Sequence, residues 1–156
     1  MGHRTVFTLS MLMMVLFFLL SNFDRYFFTL HFLESVIYLV ILLLLFYGLE
    51  DWAYVIGFVT PLFWIMLSFL QGTLLAGVRA LALAASFQGV RNPIDLVSGL
   101  LFLAGLGLMV ASGRAFRREV WGTRGALRTA VLATAVVGAY YAVLIGTLFR
   151  MSRPTG

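Results

Sequence analysis

Thr5–Phe23 reads TVFTLSMLMMVLFFLLSNF, nineteen residues without one charged side chain. A helix that crosses a bilayer core needs about 20 mostly apolar residues. This stretch meets that length alone, so lipid rather than water is the solvent it predicts. Its apolar positions do not alternate. Met11–Leu20 is apolar throughout, and Leu39–Phe46 repeats the pattern, which excludes the polar-in, apolar-out alternation of a membrane β-barrel strand. Without water to satisfy backbone N–H and C=O groups, helix is the form that remains.

Four more charge-free runs follow, at Ser35–Leu49, Trp52–Val78, Leu96–Gly113 and Thr129–Phe149. Ser35–Leu49 is too short to span at about 1.5 Å of rise per residue, so the second span is extended back to Phe27. The third run is too long for a single crossing. A break is expected near Gln71-Gly72-Thr73, followed by a short interfacial helix over about 73–90. A sixth crossing there would place Arg79 near mid-bilayer, which is costly. The prediction is an all-α, polytopic transmembrane helical bundle. Its five spans lie at about 5–22, 27–49, 52–70, 94–112 and 126–149, in one integral membrane domain over 1–156. Pro61 inside the third span predicts a kink. Asn92-Pro93 predicts a helix start.

Composition agrees. Hydrophobic residues make up 62% and charged residues 11% of the chain, against about 25% charged in soluble domains. The longest polar segment, Ser112–Arg128, leaves no room for a separate water-soluble domain. The N-terminal Arg4 and the apolar run after it resemble the start of a signal peptide. Ser21-Asn22-Phe23-Asp24 lacks a small-x-small cleavage pattern, so an uncleaved first span is expected.

The net charge is +5, and all eleven basic residues are arginine. They lie at span ends, so anionic lipid headgroups are the expected partner and nucleic acid is not. The crowding of Arg114, Arg117, Arg118, Arg124 and Arg128 in one loop predicts that this loop and the N-terminus face the cytoplasm. Trp121 in the same loop fits headgroup contact. The absence of Cys excludes disulfides, thiolate metal sites and Cys nucleophiles. Compact loops without Lys, Cys or glycosylation sequons point to a bacterial or archaeal cytoplasmic membrane.

The two halves differ. Residues 1–70 carry eleven of the fifteen Phe, three of the fifteen Gly and a formal charge of −2, while residues 71–156 carry +7. Bulky packing is expected in the first half and close helix contact in the second. Within the fifth span Gly122, Ala126, Ala130, Thr134, Gly138, Ala142 and Gly146 recur at spacing four. Such a ridge of small residues lets helix backbones approach in lipid. It packs inside the bundle, with Gly107 and Ala111 of the fourth span as a candidate partner, or docks onto another membrane protein or a second copy.

A polar group is expected around His31-x-x-Glu34. His31, Glu34 and Tyr38 share a helix face by spacing. Arg79, Arg91 and Asp95 lie on the same side of the membrane in the five-span topology. Ionisable residues in a span are costly and face protein or water. Glu34 and Asp95 are therefore expected to pair with Arg79 or Arg91, or to line a small vestibule for a proton, an ion or a headgroup. One His-x-x-Glu with His3 as the only other histidine makes too few ligands for a di-iron or bis-His haem site, so no metal and no cofactor are expected. No His-Glu-x-x-His or Gly-x-Ser-x-Gly motif occurs. Three functional readings follow: an accessory or structural subunit of a membrane assembly, a small transporter or channel subunit using the polar group, and a lipid-headgroup-modifying enzyme.

Overall fold

Helix boundaries fall at the glycine-bearing and polar breaks of the sequence. The computed structural model describes residues 2–87, 89 and 92–151, with the side chains of 148–151 excepted. Its helices are α1 (Gly2–Phe23), α2 (Phe28–Phe46), α3 (Glu50–Leu70), α4 (Thr73–Ala85), α5 (Pro93–Glu119) and α6 (Ala126–Met151), and no strand occurs among the described residues. Five of them, all but α4, are long and apolar enough to cross a membrane. At about 1.5 Å per residue, the thirteen residues of α4 fall short of a core of about 30 Å.

The terminators are local. α2 ends where Gly48 adopts φ +74°, a left-handed conformation that a residue without Cβ enters freely. The Leu49 N–H then donates to the Leu44 carbonyl at 2.8 Å and the Gly48 N–H to Leu45 at 3.3 Å, which satisfies carbonyls the helix end would leave open. Gly72, also at φ +74°, ends α3 in the same way, and the Thr73 hydroxyl donates to the Ser68 carbonyl at 3.2 Å. Asn92 caps α5 by accepting the Ile94 N–H at 3.0 Å, with Pro93 at the first helical position. α3 is helical on both sides of Pro61 without interruption.

α3 is the axis of the bundle. It packs against every other helix, and 56% of its span is buried, against 22% for α6 at the edge. Phe17 stacks on Tyr38 at 5.5 Å and meets Trp64 edge-on at 5.7 Å, while Phe63 stacks on Tyr141 at 5.5 Å. Such pairs add about 0.5–1.5 kcal/mol each beyond area burial. The outward faces carry Phe18, Phe46, Leu70 and Val143, side chains suited to lipid.

Glycines bring helices close at several places, and two of these contacts are tight. α4 meets α5 where Gly77 faces Gly99, and α3 meets α5 where Gly57 faces Ser112. A Cβ at Gly57 would lie 2.7 Å from Ser112 Oγ but 3.6 Å from Ser112 Cβ. The Ser112 hydroxyl is buried and has no hydrogen-bond partner among the described residues, so it contributes little that would be lost. Gly57→Ala is expected to destabilise by about 1–3 kcal/mol through overpacking. Gly57→Ala with Ser112→Ala is expected to return to wild-type stability or above it. Thermal unfolding in detergent across the four-member cycle tests this. A double variant no more stable than Gly57→Ala alone would refute the contact.

Candidate functional site

Asp24, His31 and Glu34 form a polar group within the apolar bundle. His31 and Glu34 stand one turn apart on α2, and the turn between α1 and α2 brings Asp24 beside them. The Asp24 carboxylate also accepts the Phe27 N–H at 3.2 Å, which fixes that turn. His31 Nδ1 donates to Glu34 Oε2 at 2.9 Å, and His31 Nε2 lies 3.6 Å from Asp24 Oδ2. One imidazole thus sits between two carboxyl groups, and with both of these ionised the group is net negative whether the ring is neutral or charged. Glu34 itself is buried.

Beside this group is a cavity of about 230 Å³. Asp24, His31 and Glu34 form one wall, and Trp64 and Ser68 of α3, Ser98 of α5 and Tyr141 of α6 close it. The starts of α2 and α5 and the end of α3 meet here, so the cavity lies toward one end of the bundle rather than at its middle. Deeper in, Tyr38 follows Glu34 by one turn. Its hydroxyl is buried without a hydrogen-bond partner among the described residues. The Tyr140 hydroxyl donates to the Leu33 carbonyl, and that of Tyr141 donates to the Thr60 carbonyl at 3.2 Å.

The structure brings His31, Glu34 and Tyr38 onto one face, as their spacing implies. It does not bring Arg79 to them. α4 buries Gly77 and Ala80, and Arg79 stands about 200° around the helix from Gly77 at about 100° per residue, so it is exposed. Asp95 is half-buried in the first turn of α5. Among the described residues neither Arg79 nor Asp95 makes an ion pair. Arg91 lies outside the described residues. The partners of Glu34's carboxylate group are instead His31 and, through it, Asp24.

A second polar group stands at the opposite end of the bundle. His3 Nδ1 is 3.0 Å from Glu50 Oε1, and the Tyr54 hydroxyl donates to Glu119 Oε2 at 2.7 Å and approaches Glu50 Oε2 at 3.2 Å. It joins the starts of α1 and α3 to the end of α5. Sequence reading misses it because the members are far apart in the chain. The one available signal was Glu50 and Tyr54 at spacing four in the first turns of a span.

No family model, curated protein or solved structure matches this chain.

The remaining sequence-derived residues fall as follows. The small-residue row begins at exposed Gly122 in the turn before α6, is buried at Ala126, half-buried at Ala130 and Gly138, and exposed at Thr134, Ala142 and Gly146. Residues four apart advance about 40° around the helix at each step, so a long spacing-four row cannot stay on one face. The side of α6 that meets the bundle is Ala126, Ala133, Val137, Tyr141 and Leu144. α6 packs on α3 and touches α2, with no close backbone approach to α5. Gly107 faces Leu9 of α1 instead. Arg114, Arg117, Arg118, Trp121, Arg124 and Arg128 are all exposed, around one end of the bundle. Arg114 and Arg118 border a groove of about 640 Å³ between α1 and α5 whose floor is Leu9, Leu106 and Val110.

Chemically, the Asp24–His31–Glu34 group can hold a cation or exchange a proton. Among the described residues no hydroxyl hydrogen-bonds His31, so no base-activated nucleophile is assembled there. Among the same residues no group of three or more His, Cys, Asp or Glu is placed to hold a metal ion.

Proposed function

We propose that this membrane protein is an accessory or structural subunit of a membrane assembly, and that it packs against its partner through the outward face of α6. The observation that carries this reading is the exposure of Thr134, Ala142 and Gly146 on that face. Gly138 and Gly146 have no atom within 4 Å of where a Cβ would stand, although such residues are what close helix contact in lipid requires. A second copy of the chain fits the same face. Headgroup contacts from Arg114, Arg117, Arg118, Arg124, Arg128 and Trp121 would hold the bundle at a fixed depth beside its partner.

The test is affinity purification from native membranes in mild detergent. Wild-type protein is expected to bring a stoichiometric partner or a second copy. Gly138→Leu with Gly146→Leu is expected to lose it while its own thermal unfolding stays within about 0.5 kcal/mol of wild type. Purification of a clean monomer overturns the reading.

A second reading, a small transporter or channel subunit, is favoured by one observation: an ionisable cluster lining a cavity between five spanning helices, where charged groups mark substrate or ion paths. Solute flux in liposomes that Glu34→Gln abolishes would support it.

A further inference from the structure

We propose that the cavity beside Asp24, His31 and Glu34 binds a small organic cation, an amine or quaternary ammonium group. This deepens the second reading above by naming its ligand class, and it concerns binding alone.

Charge is the first ground. Asp24 and Glu34 place two carboxylates on the wall, and one imidazole stands against them. Among the described residues no arginine lines the cavity. A buried charge is costly unless it is paired, and with both carboxylates ionised the imidazole meets at most half of their charge. A cation in the cavity completes the pairing.

The shape of the remaining wall selects the kind of cation. Phe27, Trp64 and Tyr141 are among the lining residues. Ring faces attract alkylammonium groups, which carry their charge on an apolar surface. A bare metal ion gains little from such walls. Ser68 adds a polar contact on the same wall. It is 6% exposed, and its hydroxyl can donate to or accept from a ligand hydroxyl or N–H. The volume of about 230 Å³ is below the about 300–1,000 Å³ of sites for drug-sized molecules, which restricts the occupant to a compact group.

Two sources can supply that group: a free amine from water, or the amine-bearing headgroup of a phospholipid. The cavity lies toward the bundle end that carries the α1–α2 turn, within reach of both.

The experiment uses the full-length protein in nanodiscs, with Trp52→Phe and Trp121→Phe leaving Trp64 as the only tryptophan. Choline is titrated at constant ionic strength, with sodium as the control ion. In phosphatidylglycerol nanodiscs Trp64 fluorescence should change saturably with choline and not with sodium. Asp24→Asn and Glu34→Gln should each weaken binding about tenfold, the loss of about 1.4 kcal/mol. Asp24 lies in a turn at 21% side-chain exposure, so its variant remains testable if Glu34→Gln fails to fold. In phosphatidylcholine nanodiscs, loss of the free-choline response assigns the site to a headgroup, and an unchanged response assigns it to a free amine. The proposal is overturned if choline gives no saturable response in phosphatidylglycerol, if sodium matches it, or if both carboxylate variants respond like wild type. Choline binding without solute flux would remove the transport reading and leave the pocket standing.

Discussion

Gly99→Leu should unseat α4 from α5 and lower the stability of the detergent-solubilised protein by about 3 kcal/mol. At roughly 2–4 °C per kcal/mol for a chain of this size, its Tm should fall by roughly 6–12 °C. A Cβ at Gly99 would stand 2.5 Å from the Gly77 carbonyl oxygen and 2.6 Å from Leu81 Cγ. Leu81 can rotate away, but the Gly77 carbonyl belongs to a helix backbone and cannot. Gly99→Ala should therefore also destabilise, and Leu81→Ala should restore only part of the loss. This distinguishes the site from Gly57, where the obstructing atom is a removable hydroxyl. Gly146→Ala, which meets nothing within 4 Å, is the control and should stay within about 0.5 kcal/mol of wild type. A Gly99→Leu protein with wild-type Tm would show that α4 does not rest on α5 as the structure has it.

That contact marks where sequence reading reached its limit. The five long helices were legible because a bilayer imposes a length and a composition that few soluble segments match. The break at Gln71–Thr73 was legible because a helix running on would exceed the core. Tertiary pairing was not. The spacing-four row on α6 and the isolated Gly77 and Gly99 look alike in sequence as places for close approach, and the longer row is the more conspicuous. Yet a spacing-four row precesses around its helix, whereas one glycine opposite another is enough for two backbones to meet. The same limit applied to charge. The five-span topology puts Arg79 on the same side of the membrane as Glu34, but its place on α4 is set by Gly77 and Ala80, which turn it outward. The His3–Glu50–Tyr54–Glu119 group joins helix ends distant in sequence, and no local pattern announces such a set.

His31→Leu should destabilise the protein by about 3 kcal/mol, because it leaves the Glu34 carboxylate buried without its 2.9 Å partner. His31 and Glu34 side chains are 15% and 9% exposed, so water replaces the lost partner poorly. His31→Leu with Glu34→Leu should recover most of that loss, since a buried ion pair replaced by apolar side chains of similar volume is often neutral or better. Such recovery would mean that stability does not require the pair, and that binding is the better reason for ionisable groups at this depth. Choline sharpens the distinction. A ligand that binds only the folded state stabilises it in proportion to its affinity, and a carboxylate that has lost its imidazole gains most from an ammonium group. Choline should therefore raise the Tm of His31→Leu more than that of wild type, and should not move the Tm of the double variant. If the double variant stays as unstable as His31→Leu, the imidazole–carboxylate pair holds the fold itself. If choline shifts neither single variant nor wild type, the cavity holds no ammonium, and Glu34 is neutralised by His31 or by a proton alone.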